Sequence, residues 1–144
     1  MTKNKDWLGD AGTVTSRRRL KDASPYEFLF PRPKGENVTI KRDAGVKHTV
    51  KFIPKVVEQT LDHTERIART LIAPTLRETC EKIWKWVYDH IRYEKDETGK
   101  EQVRSPARLF YDRKGDCDCY TTFINSVIVN VSRIKRWPMK IVNR

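Results

Sequence analysis

The stretch from Arg113 to Val131 constrains this chain more than any other. Tyr120, Phe123, Ile124, Val127, Ile128 and Val131 recur at spacings of three and four, which puts them on one stripe of an α-helix. Arg113-Lys114-Gly115-Asp116-Cys117 leads directly into that stripe, so the helix is predicted to begin at or just before Cys117. No other helical segment here is as apolar, and a helix with so wide an apolar face has to be covered by other elements. The chain is therefore expected to fold around one central buried helix.

Two further helices supply part of that cover. Val57, Leu61, Thr64, Ala68 and Leu71 keep helical spacing. Ala73-Pro74-Thr75 breaks the pattern, and Leu76, Cys80, Ile83, Val87 and Ile91 resume it. Thr75, with Glu78 three residues on, has the form of a capping box. Trp84, Trp86, Tyr88 and Tyr93 make this second helical region aromatic, which is expected to serve packing rather than a ligand platform. Ser105-Pro106 opens a short helical segment from Ala107 to Tyr111, since proline suits a first helical position.

Strand character is shorter. Asn37 to Lys41 and Val46 to Ile53 flank the turn signal Asp43-Ala44-Gly45, and Val46, His48, Val50 and Phe52 alternate with Lys47, Thr49 and Lys51. That alternation predicts a hairpin. Met139 to Arg144, after Pro138, reads as the start of another strand. Before residue 37, Gly9, Gly12, Pro25, Pro31, Pro33 and Gly35 interrupt any period, so residues 1–36 are expected to form an arm without regular structure. Its apolar cluster, Tyr26 to Phe30, is expected to pack on its own domain. The organisation predicted is an arm, 1–36, and one α+β domain, 37–144, with a short N-terminal hairpin. A chain of 144 residues with a hydrophobic share of 38% has enough for one modest core.

The formal net charge is +11, which speaks of partners rather than chemistry. Arg17, Arg18, Arg19 and Lys21 make the start basic and are candidate partner contacts; no Asp or Glu follows Asp118, while Arg133, Lys135, Arg136, Lys140 and Arg144 do. A basic arm tracks phosphates without sequence preference, but no recognition-helix or zinc-finger pattern accompanies it. A protein or peptide partner is favoured over nucleic acid. No signal peptide precedes the domain and no stretch has the length of a membrane span, so the expected setting is cytoplasmic, or inside a viral particle. The three cysteines, Cys80, Cys117 and Cys119, have neither disulfide-framework nor four-ligand zinc spacing, and neither metal nor cofactor is expected. Cys80, on an apolar helix face, reads as core.

Cys117 is the candidate nucleophile. A cysteine in the first turn of a helix meets unpaired N–H groups and the positive dipole end, which favour the thiolate, and the same groups stabilise an oxyanion. Gly115 permits a tight approach to the helix. Asp116 or Asp118 would cap it, although a carboxylate so near opposes thiolate formation unless turned away. His48, His63 and His90 all precede Cys117 and have plainer places, on a strand, an exposed helix face and a helix end.

These residues carry a resemblance. From Ile83 to Val131, about one third of the chain, the sequence resembles the transglutaminase-like superfamily of the papain-like cysteine proteases. The matching positions are Trp86-Val87, Ile91, Tyr93, Asp96, Gly99, Pro106, Leu109, Arg113 to Asp118 and the apolar helix after them. The resemblance implies that Cys117 attacks a carboxamide or peptide carbonyl to form a thioester, which water or an amine resolves. In that family the activating His and its Asp lie on strands after the nucleophile helix. Here Arg144 falls about where the His strand would follow, so the expectation is an incomplete sheet and an incomplete site. Two functions follow from it: a cysteine hydrolase or transamidase, or a catalytically inactive structural or binding component of a larger assembly such as a virion.

Overall fold

The computed structural model describes residues 19–33, 38–42, 46–95 and 100–141, without the side chains of 38–42, 46–50 and 100–102. Five α-helices are present among them: α1 (Val46–Gln59), α2 (Leu61–Leu71), α3 (Leu76–His90), α4 (Pro106–Asp112) and α5 (Cys117–Lys135). Four strands accompany them: β1 (Val38–Arg42), β2 (Arg92–Tyr93), β3 (Lys100–Arg104) and β4 (Lys114–Gly115). The fold is α+β, with two sheets of two strands each.

α5 is the central helix. Phe123, Val127 and Val131 on its stripe are fully buried, and α1, α2, α3, α4 and β3 all pack on it. Its Phe123 ring lies 5.5 Å from that of Trp86 on α3, within 5° of parallel. A polar seam fixes α5 against α2: the Thr64 and Ser126 hydroxyls are 2.6 Å apart, and Asn130 Nδ2 donates to Thr64 Oγ1 and to Leu61 O, each at 2.8 Å. Buried polar groups so paired admit one register and penalise slippage. The helix ends at Arg136, in the left-handed region at φ 56°, where Trp137 N–H closes on Ser132 O.

Thr75 caps α3, its Oγ1 accepting from Glu78 N–H at 3.1 Å, and Ser105 caps α4 through Arg108 N–H at 3.3 Å. Ile83, Trp86, Val87 and Ile91 are buried, whereas Trp84 is exposed and stacked on Tyr88 and Cys80 is only half-buried.

Several expectations are corrected. Val46 to Ile53 belongs to α1, not to a hairpin strand. Ile53, Val56 and Val57 are all buried, and with Val50 they continue at helical spacing, so the period-2 pattern was a local coincidence inside a longer 3.6-residue one. β1 pairs instead with β3, antiparallel, with Val38 opposite Arg104. The helix expected from Val57 to Leu71 is two, divided at Thr60, whose hydroxyl donates to Val56 O. Residues 138–141 form no strand; residues 142–144, the turn at 43–45 and the loop positions Asp96 and Gly99 lie outside the described residues.

The arm also differs from expectation, because Ser24–Leu29 is a 3-10 helix. Asp22 Oδ1 accepts from the Ser24 N–H at 3.0 Å and its hydroxyl at 2.7 Å, and Pro25 presets the backbone angle of the first turn. The segment ends inside the core: Ala23, Leu29 and Phe30 are buried, and the Phe30 ring stacks on Phe110 at 4.1 Å.

Candidate functional site

The approach to Cys117 is built by a tight chain reversal. Arg113 closes α4 by donating its N–H to Leu109 O at 2.9 Å and takes a left-handed φ of 59°, its guanidinium 4.1 Å over the Phe110 ring. The next two residues, β4, run parallel to β2. Arg92 N–H donates to Arg113 O at 2.8 Å and Glu94 N–H to Gly115 O at 2.9 Å. Gly115 is required by proximity: a Cβ there would stand 2.5 Å from Leu109 Cδ1 and 2.8 Å from Cys119 Cβ. The short sheet thus carries the backbone directly onto the start of α5, beside Tyr93.

Asp116 is the cap. It is buried, at 5% exposure, and its Oδ1 accepts from the N–H groups of Asp118 at 3.1 Å and Cys119 at 3.2 Å. Asp118 points elsewhere, its Oδ1 3.9 Å from the sulfur of Cys117, which donates to it. Cys117 itself is exposed.

This arrangement overturns the expectation of a lowered thiol pKa. Loss of hydration, then the negative charges of Asp118 and Asp116, push the Cys117 thiol above its ordinary value, against the opposing pull of hydrogen bonds from Tyr93 and the Asp118 backbone. The physical reason is local: burial strips water from the sulfur, and the Asp116 carboxylate that caps the N–H groups of Asp118 and Cys119 adds a negative charge beside it. Tyr93 is the neighbour that sequence reading did not assign to the site. Its ring stands edge-on to Tyr120 at 5.7 Å, and Tyr120 in turn donates its hydroxyl to Ile91 O at 2.7 Å, so the phenol beside the thiol is held by packing. Twenty-odd residues of chain separate Tyr93 from Cys117, and the parallel pairing of β2 with β4 brings them together.

Cys119 and Cys117 do not act as a pair. Cys119 is fully buried, its sulfur accepts from Arg104 N–H at 3.4 Å, and burial pushes its thiol up to about 12. Arg104 also forms an ion pair with Asp112, at 3.1 Å.

Two of the three imidazoles have structural posts. His63 is half-buried rather than exposed, and its Nδ1 accepts from Ala107 N–H at 3.2 Å, capping the first turn of α4. Burial lowers its pKa, with Asp62 opposing. His90 is buried against the Trp86 ring at 4.7 Å, its Nδ1 2.6 Å from Trp86 O. The side chain of His48, and all of Arg17 and Arg18, lie outside the described residues. Arg19 is exposed. Lys21 is occupied within the chain, its N–H donating to Asp89 O at 2.8 Å and its ammonium 3.3 Å from the Asp89 carboxylate.

Comparison of the chain with protein-family models, with curated proteins and with solved structures finds no match.

Proposed function

We propose that this chain is a binding or structural component of a larger assembly, built on a transglutaminase-like nucleophile helix whose Cys117 rests as a neutral thiol. The observation that carries this reading is the electrostatic setting of Cys117. Asp116 uses the N–H groups of Asp118 and Cys119, and the Asp118 carboxylate takes the thiol proton's hydrogen bond at 3.9 Å. Thiolate formation in such a place is opposed twice, and a thiol is a poor nucleophile. His63 and His90 are engaged by Ala107 and Trp86.

A second reading, a cysteine hydrolase or transamidase acting on carboxamide or peptide bonds, draws on the exposure of Cys117 at the first turn of a buried helix with Tyr93 beside it. In that chemistry a base takes the proton from Sγ and the thiolate forms a bond to the carbonyl carbon. The carbon–nitrogen bond then breaks as nitrogen is protonated, and water or an amine resolves the thioester to regenerate the thiol.

Incubating the full chain with a glutamine-containing peptide and hydroxylamine separates the two. Intact-mass measurement is expected to show no acyl adduct on Cys117 and no hydroxamate product. An adduct that disappears in Cys117→Ser would establish the hydrolase reading instead.

A further inference from the structure

We infer that the outer face of α3 is a self-association surface, on which a second copy of this chain packs its own α3 antiparallel across a two-fold axis. The inference goes beyond the binding-component reading and uses none of the Cys117 chemistry.

Leu76, Cys80, Trp84 and Tyr88 recur every four residues, which makes them neighbours in a row along α3. Ile83, Trp86 and Val87 fill the core side of the helix, so this row runs beside the buried one. Leu76 is 37% and Trp84 58% exposed, two of the three large apolar side chains left exposed among the described residues. Cys80 between them is half-buried, and the Trp84 ring is stacked on that of Tyr88 with centroids 5.0 Å apart. An exposed indole already oriented by a stacked neighbour loses little freedom when it is covered, and aromatic side chains of this kind anchor protein contacts.

The charges beside that row select the occupant. Arg77, Glu81, Lys85 and Asp89 also recur every four residues, and their signs run plus, minus, plus, minus. Read from the other end the signs run minus, plus, minus, plus, so the row is complementary to itself when two copies lie antiparallel, which is the condition an isologous contact has to meet. A register centred on Lys82 and Ile83 sets Glu81 of each copy against Lys85 of the other, and Cys80 of each against Trp84 of the other. Glu81 and Lys85 are both exposed. Their links within α3, to Arg77 at 3.4 Å and to Asp89 at 3.0 Å, are surface pairs that a second partner can share. Asp89 already holds Lys21 as well as Lys85, so the pairing rests on Glu81 and Lys85.

The balance of charge argues against other occupants. In a chain of net charge +11, α3 carries three cations, Arg77, Lys82 and Lys85, and three anions, Glu78, Glu81 and Asp89. A nucleic-acid backbone or an acidic protein gains nothing from a helix without net charge. Two copies meet there without net repulsion, and the positive charge elsewhere is screened over about 8 Å at physiological salt.

Analytical ultracentrifugation of the full chain from about 1 μM to about 500 μM, at about 0.15 M salt, tests this. A contact between two helices is small, so a monomer–dimer equilibrium with a micromolar dissociation constant is expected. Trp84→Ser, an exposed substitution that leaves the core intact, is expected to abolish the dimer. Glu81→Lys and Lys85→Glu are each expected to weaken it by about tenfold or more, although one raises the net charge and the other lowers it. The double variant Glu81→Lys with Lys85→Glu restores opposite signs across the axis and is expected to dimerise as the parent chain does. A chain that stays monomeric throughout, a dimer indifferent to Trp84→Ser, a Lys85→Glu variant that associates more tightly, or a double variant that remains monomeric would each overturn the inference.

Discussion

Replacing Phe30 with alanine tests whether the 3-10 segment is part of the core or merely rests on it. Phe30 is 5% exposed; its ring is stacked at 4.1 Å on Phe110 and lies 6.0 Å from both Trp86 and Phe123. Truncating a phenylalanine so enclosed removes its transfer free energy and leaves a void lined by three aromatic rings, a change that costs about 3–5 kcal/mol. Against a typical domain stability of about 5–15 kcal/mol, that is a large share. The polar pins of the same segment are weak by comparison. The Arg113–Glu27 pair spans 3.5 Å between partly exposed side chains, and such pairs contribute about 0–1 kcal/mol. Urea denaturation followed by tryptophan fluorescence should therefore show a much lower midpoint for Phe30→Ala at unchanged slope, and almost no change for Glu27→Ala. Equal, small losses for the two variants would refute the reasoning, because the segment would then be held by its edge contacts alone.

Three further outcomes follow from the site and its supports. Asp118→Asn removes one of the two carboxylate charges that raise the Cys117 thiol, so the midpoint of its alkylation against pH should fall; an unmoved midpoint would assign the rise to burial and Asp116. His63 has a folded pKa below its ordinary value and must be neutral to accept from Ala107. Its contribution is thus fully present above the unfolded value of about 6.5 and is lost as pH falls through the folded one; stability measured from about pH 7.5 to pH 5 should decline in this window, and His63→Gln should flatten the decline. Gly115→Ala forces a methyl to within 2.5 Å of Leu109 Cδ1, an overpacking expected to cost about 1–3 kcal/mol, and thermal unfolding at unchanged temperature would contradict the geometry.

Much of the helical frame is legible in the sequence, because its signals are local. Thr75 and Glu78, Ser105 and Pro106, and the stripe from Tyr120 to Val131 each sit within a few residues of the element they define. Val46 to Phe52 misleads because three apolar residues alternating with His48 in step fit a strand and a helix alike, and only burial of Ile53, Val56 and Val57 decides. The partner of β1 lies some sixty residues on, at Lys100–Arg104, beyond any local signal. Interruptions by proline and glycine hide the 3-10 helix at Ser24–Leu29, whereas the packing of the Tyr26 to Phe30 cluster on its own domain was expected and is seen in the burial of Leu29 and Phe30. At the site, the position of Cys117 on α5 was readable, as was the hazard of a nearby carboxylate. Which aspartate would turn inward was not. Asp116 and Asp118 are equivalent on paper, and the cap geometry alone makes one buried and the other a neighbour of the thiol.

The central claim is that Cys117 rests as a thiol, and its alkylation rate against pH tests this most directly. With Cys80 replaced by serine, and Cys119 shielded by complete burial, iodoacetamide labelling mapped to Cys117 by peptide mass reports one sulfur. The account predicts a midpoint above the ordinary thiol value of about 8.5. A midpoint well below it would contradict the account and mark Cys117 as a nucleophile poised for acyl transfer.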